Sequence, residues 1–112
     1  MTTVINTYGN LFDLVLEKST GINDTPYEGL CVKSKGYADK HVIDIDLDRA
    51  NANYDGTPVK HRYYRVRINQ GMRGTCNTLA ETRECIAVLQ EAVKAAEEIE
   101  VWMKLNGWWK ED

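Results

Sequence analysis

The sequence predicts an α+β fold: a small antiparallel β-sheet of three to four strands packed against one long C-terminal α-helix, with a short N-terminal helix. Two segments, His41–Asp48 and His61–Ile68, alternate apolar and charged residues with the period of a strand. A third, Leu79 to Leu105, repeats apolar residues at spacings of four and three, the period of one helix face. At 112 residues the chain has an ordinary domain size, so one domain over 1–112 with a single core is expected.

Taken in order, Leu11, Leu14 and Val15 stand at helical spacing within Asn10–Lys18, and Ser19-Thr20-Gly21 follow as a stop; this predicts the short helix. Residues 21–29 are dense in turn formers, including Gly21, Asn23, Pro26 and Gly29, and read as a surface loop. Leu30–Lys35 reads as the first strand, ended by Gly36. In His41–Asp48 the alternation sets Ile43, Ile45 and Leu47 on the core face and Asp44, Asp46 and Asp48 on the other. After a loop at Asp55-Gly56 and Pro58, His61–Ile68 places Tyr64, Val66 and Ile68 inward and Tyr63, Arg65 and Arg67 outward. The two segments read as an antiparallel hairpin. Gly71 to Gly74 reads as a turn and Thr75–Asn77 as a short fourth strand.

Thr78 followed by Glu81 is a capping-box pattern and starts the long helix; Asn106-Gly107 stops it. Cys85, Leu89, Ala92, Ala96, Ile99 and Met103 form its expected core stripe, flanked by Ile86 and Val93. Such a helix is about 40 Å long, against about 25 Å for strands of seven or eight residues. Its surplus apolar length, with Val101 and Leu105, needs a covering surface, and a homodimer through this helix is one expected solution, with Ile99, Trp102 and Met103 serving the contact. The tail holds Trp108 and Trp109. Either one indole caps the core and the other lies half exposed, or the pair anchors a partner.

Charge is unevenly distributed. Residues 1–56 hold nine acids and five bases, residues 57–80 five bases and no acid, and residues 81–112 four bases and eight acids, for a net −3. An anionic partner belongs at the middle segment. Three cysteines, Cys31, Cys76 and Cys85, leave an odd thiol and lack Cys-x-x-Cys spacing, so reduced thiols are expected and neither a disulfide scaffold nor a zinc site. The start, Met1–Asn6, has no basic leader before an apolar run, and no segment reaches the roughly 18 apolar residues of a span, so the expected location is cytoplasmic with no membrane partner.

Asp44, Asp46 and Asp48 share a strand face and invite a divalent-cation reading, but Arg65 and Arg67 on the neighbouring strand offer them cross-strand ion pairs, so no metal and no cofactor is expected. The basic run Lys60, His61, Arg62, Arg65, Arg67 and Arg73, interleaved with Tyr63 and Tyr64, suits phosphate contact. Over Tyr63–Ile68 and the following helix, about a third of the chain, this arrangement resembles the sheet-reading DNA-binding domains of the AP2-like and recombinase arm-binding folds. That resemblance implies an Arg/Tyr-rich strand presented to a major groove. Catalytic signals are weaker. His41 and His61 read as strand-end or surface residues, Cys31 or Cys76 beside one of them lacks a nucleophile motif, and Gly71-Met72-Arg73-Gly74 lacks the lysine and spacing of a P-loop.

The expected function is a non-enzymatic protein-binding module, a small regulator or inhibitor of a larger assembly, akin in character to the accessory proteins of phages and mobile elements. Its expected recognition face is Tyr63, Arg65 and Arg67 with the Asp44, Asp46 and Asp48 row, aided by Trp102, Trp108 and Trp109. Nucleic-acid binding through residues 61–68 is the first alternative, and a small enzyme or ligand-binding protein the second.

Overall fold

The computed structural model describes residues 2–21, 24–50, 59–71 and 77–111. Thr2–Tyr8 form the first strand, β1, whose Thr-Thr-Val-Ile opening favours extended backbone. The chain reverses at Gly9 and Asn10, both left-handed with φ of 58° and 56°, the conformation a tight hairpin turn demands and these two residue types tolerate. It returns as β2, Phe12–Thr20.

That strand corrects the short helix expected over residues 10–18. β2 lies between two partners, and Leu14 and Val15, on opposite faces, are both almost fully buried. A strand with apolar side chains on both faces loses its alternation, and Leu11, Leu14 and Val15 then mimic a helical spacing.

β3, Pro26–Ser34, pairs antiparallel with β2 from Phe12↔Ser34 to Thr20↔Pro26, so Tyr27, Glu28 and Gly29 belong to a strand and not to the expected loop. A four-residue helix, α1 (Tyr37–Lys40), precedes β4 (Ile43–Arg49). Two short steps follow: β5, Val59–Lys60, parallel to β3, and β6, Tyr63–Gln70, antiparallel to β4. The strands thus form a four-stranded mixed sheet in the order β1-β2-β3-β5 and a separate two-stranded sheet, β4-β6. The expected α+β class holds, and so does the antiparallel hairpin. The loop at Asp55-Gly56 and Pro58, Arg73 and Gly74 of the expected turn, and Thr75 and Cys76 of the expected fourth strand lie outside the described residues; Asn77 belongs to no strand.

The long helix, α2, runs Leu79–Leu105. Thr78 Oγ1 accepts from the Glu81 amide at 3.1 Å, and the Glu81 carboxylate accepts from the Thr78 amide at 3.3 Å, the reciprocal cap expected. Its buried stripe is Cys85, Val88, Ala92, Ala95, Ile99 and Met103, so Ile99 and Met103, expected to serve a contact between copies, are instead fully buried in the protomer's own core. Val88 and Ala95 replace the expected Leu89 and Ala96, which are half-buried, so the helix is turned slightly from the face read in the sequence. α2 lies across β4, β6 and β2, and its direction opposes that of β6. Gln70, at the end of β6, donates to Cys85 Sγ at 2.9 Å, while Tyr63, at its start, meets the tail beyond Met103. Phe12, Leu14, Ile43, Ile45, Ile99, Met103 and Trp108 fill the core between them. Among the described residues no helix is long and apolar enough to cross a membrane.

Candidate interaction face

The β4–β6 hairpin pairs Asp46 with Arg67 and Asp48 with Arg65, which places acids and bases as neighbours on one outer face. Both guanidinium groups converge on one carboxylate. Arg65 Nε stands 2.5 Å from Asp48 Oδ2, and Arg67 grips the same group twice, Nε to Oδ2 at 2.8 Å and Nη2 to Oδ1 at 2.9 Å. Hydrogen bonds from Arg65 and then Arg67 hold the Asp48 carboxyl below the usual carboxylate range, and Asp48 in turn raises Arg65. Asp44 accepts the Ser34 hydroxyl at 3.0 Å, while Asp46 makes no ion pair among the described residues. No set of three His, Cys, Asp or Glu side chains among those residues converges on a metal position.

One expectation fails at the first residue of β6. Register passes from Asp48↔Arg65 to Arg49↔Tyr63, so Tyr64 is an extra residue in the strand. Such a bulge reverses the alternation beyond it. Tyr63, expected beside the arginines, is 3% exposed in the core, and Tyr64, expected inward, is 48% exposed with the Arg65 guanidinium 5.6 Å from its ring centroid. Tyr63 is therefore structural. Its hydroxyl accepts from the Leu30 amide at 2.7 Å and donates to the Leu30 carbonyl at 3.0 Å, standing in for a neighbouring strand at the edge of β3.

A second polar group sits behind it. His61 is buried, against the strand-end or surface position expected, because its amide donates to the Glu28 carbonyl and its ring lies 5.1 Å from that of Tyr27. Arg49 Nη1 donates to His61 Nε2 at 3.3 Å, which requires an unprotonated Nε2. Burial first, then the Arg49 charge, pushes the His61 pKa below its ordinary value. Cys31 donates to Glu17 Oε1 at 3.3 Å, and burial, then Glu17, pushes its thiol up to about 11, the opposite of an activated nucleophile. His41 contacts Glu84 Oε1 at 2.7 Å, beside Lys40 on the same carboxylate at 2.8 Å.

The tryptophans divide as the first of the two sequence readings has it. Trp108 is 6% exposed under the Lys60 ammonium, 4.2 Å from its ring centroid. Trp109 is half-buried beneath Lys104, and Trp102 is half-buried against the core. The tail is fixed by backbone as well: the Tyr63 amide donates to the Trp108 carbonyl at 2.9 Å and the Lys110 amide to the Tyr63 carbonyl at 2.8 Å. The structure thus gathers Arg65, Arg67, Asp44, Asp46 and Asp48 on one face and sets Tyr63, Trp102, Trp108 and Trp109 apart from it. Tyr64 joins that face without having been expected there, since nothing in the pair Tyr63-Tyr64 announces a bulge. A cavity of about 290 Å³ opens elsewhere, on the four-stranded sheet among Lys18, Tyr27, Glu28, Val59 and Lys60. Comparison with family models, with curated proteins and with solved structures finds no significant match to this chain.

Proposed function

We propose that the chain is a non-enzymatic protein-binding module, a small regulator or inhibitor of a larger assembly, that engages its partner through the outer face of β4 and β6. The observation behind this reading is the pair of exposed arginines held on one carboxylate beside an exposed tyrosine. Arg65 and Arg67 are pre-oriented, so a partner orders few side chains on binding, and arginine and tyrosine are the residue types that dominate protein interfaces. The mixed signs favour a surface with its own mixed charges. A polyphosphate would meet Asp44, Asp46 and Asp48 on the same face, so the nucleic-acid alternative has the register against it. The protonated thiol of Cys31 and the buried, neutral His61 likewise favour binding over catalysis.

The test is affinity capture by the immobilised protein from lysate of its native source, with and without nuclease treatment, in parallel with R65E/R67E and the milder R65Q/R67Q. Both variants alter exposed side chains, and circular dichroism checks that they fold. A protein retained by the wild type and lost from both folded variants is the expected outcome. Equal retention by all three excludes this face, and retained nucleic acid that elutes steeply with salt replaces the reading with the alternative.

A further inference from the structure

One flank of α2 is apolar, exposed and regularly spaced. Leu79, Ile86 and Val93 recur every seven residues and are 77%, 51% and 48% exposed; Leu89 and Ala96, half-buried, lie three residues after Ile86 and Val93. This is the a/d pattern of a helix–helix seam, separate from the stripe that faces the sheet. An ion-pair cluster on one side and a cation–π contact on the other mark the sides of the helix. Glu84 meets Lys40 and His41, on the α1 side, whereas Lys104 lies over Trp109, which bridges to Tyr63 on the edge of β6 away from β4. Ile86 and Lys104 are about five full turns apart, so the seam faces the same way as Lys104, toward that edge. Beyond Tyr63 the edge has no strand partner among the described residues.

We infer that this flank is the interface of a two-fold homodimer in which α2 packs antiparallel on α2 of a second copy. The charges beside the seam select that occupant and that direction. With Leu89 opposite Val93 of the second copy, and Ile86 opposite Ala96, the e positions Arg83 and Glu97 face each other across the seam, and two-fold symmetry makes the pair twice. Gln90, the e position between them, falls beside the axis and brings no charge. A parallel alignment pairs e with g positions, and here those are Cys85, Ala92 and Ile99, buried in the protomer and uncharged. Arg83 and Glu97 make no ion pair within their own protomer among the described residues.

The sheet fits the same axis. Because α2 opposes β6, one two-fold brings both the helices and the open β6 edges together antiparallel. A helix centred over two strands then stands about one strand spacing, roughly 4.8 Å, from the axis. Two such helices lie about 9.6 Å apart, inside the 8–10 Å range of packed helices. This inference does not rest on the hairpin-face reading, since Arg65 and Arg67 point from the opposite side of the hairpin to α2.

Sedimentation of the intact chain from about 1 to 100 µM tests it. The wild type is expected to dimerise. R83E alone and E97R alone, each setting like charges together twice, are expected to weaken the dimer about five- to tenfold, and R83E/E97R to restore it within about twofold. V93E, at an exposed site, is expected to give a folded monomer by circular dichroism. A wild-type monomer at the top concentration overturns the inference, including the case in which the flank binds a different protein. A dimer that the double reversal does not rescue overturns the antiparallel seam. Capture by the R65Q/R67Q variant is read separately, so failure of either proposal leaves the other standing.

Discussion

Tyr63 shows how one side chain does the work of a strand. At Leu30 the edge of β3 has passed beyond β5, and its amide and carbonyl are both satisfied by one phenolic hydroxyl. Tyr63→Phe removes that group and leaves both backbone atoms buried without it, so stability should fall by about 1 to 3 kcal/mol in urea unfolding. A loss near zero would show that water replaces the hydroxyl there. His61 makes a second prediction through pH. Its folded pKa lies below the ordinary 6.5, so below that pH the unfolded chain takes up a proton more readily than the folded one. The stability it supplies is present in full above pH 6.5 and is lost as pH falls. Wild-type stability should therefore decline on acidification from about pH 6.5 toward 5, and His61→Gln, which can still accept from Arg49, should show a shallower decline. Parallel profiles for the two proteins would place the titration at another group.

At the scale of elements, what is legible in the sequence depends on whether an element solves one packing problem or two. α2 has one core face and a local cap, so its bounds and capping box can be read from Thr78, Glu81 and the apolar period alone. β4 likewise buries one face, and Ile43 and Ile45 are core as expected. β2 buries side chains on both faces and so loses its signature. The signal that was available is the neighbouring turn, because Gly9-Asn10 between apolar segments is a hairpin sequence. The face of Asp and Arg rows is legible from alternation, whereas Tyr64's arrival there depends on a bulge that only pairing with Arg49 creates. The cap offers a clean measurement. Thr78→Ala removes the acceptor for the Glu81 amide at an exposed site, so it should cost about 1 kcal/mol, and Thr78→Asp, which keeps an acceptor and adds favourable charge at the helix start, should cost less.

Across the whole molecule, the last residues hold together parts of the chain far apart in sequence. The Trp108 and Lys110 backbone brackets Tyr63, and Tyr63 in turn holds Leu30, so the C-terminal tail, β6 and β3 form one hydrogen-bonded series. Trp108 fixes that series by burying its ring in the core against α2, whereas Trp109 remains half in solvent. Trp108→Ala should therefore cost about 3 to 5 kcal/mol, a large share of a small domain's stability, and Trp109→Ala clearly less. Hydrogen exchange on the Trp108 variant discriminates further. Loss of the tail should expose the amides of Tyr63, Leu30 and Lys110 first, while amides in the β1–β2 ladder, which no tail contact supports, should open only with the global transition. If Val4 and Val15 exchanged as early as Tyr63, the two sheets would share a single cooperative unit, and the tail would stabilise the whole fold and not only the hairpin it touches.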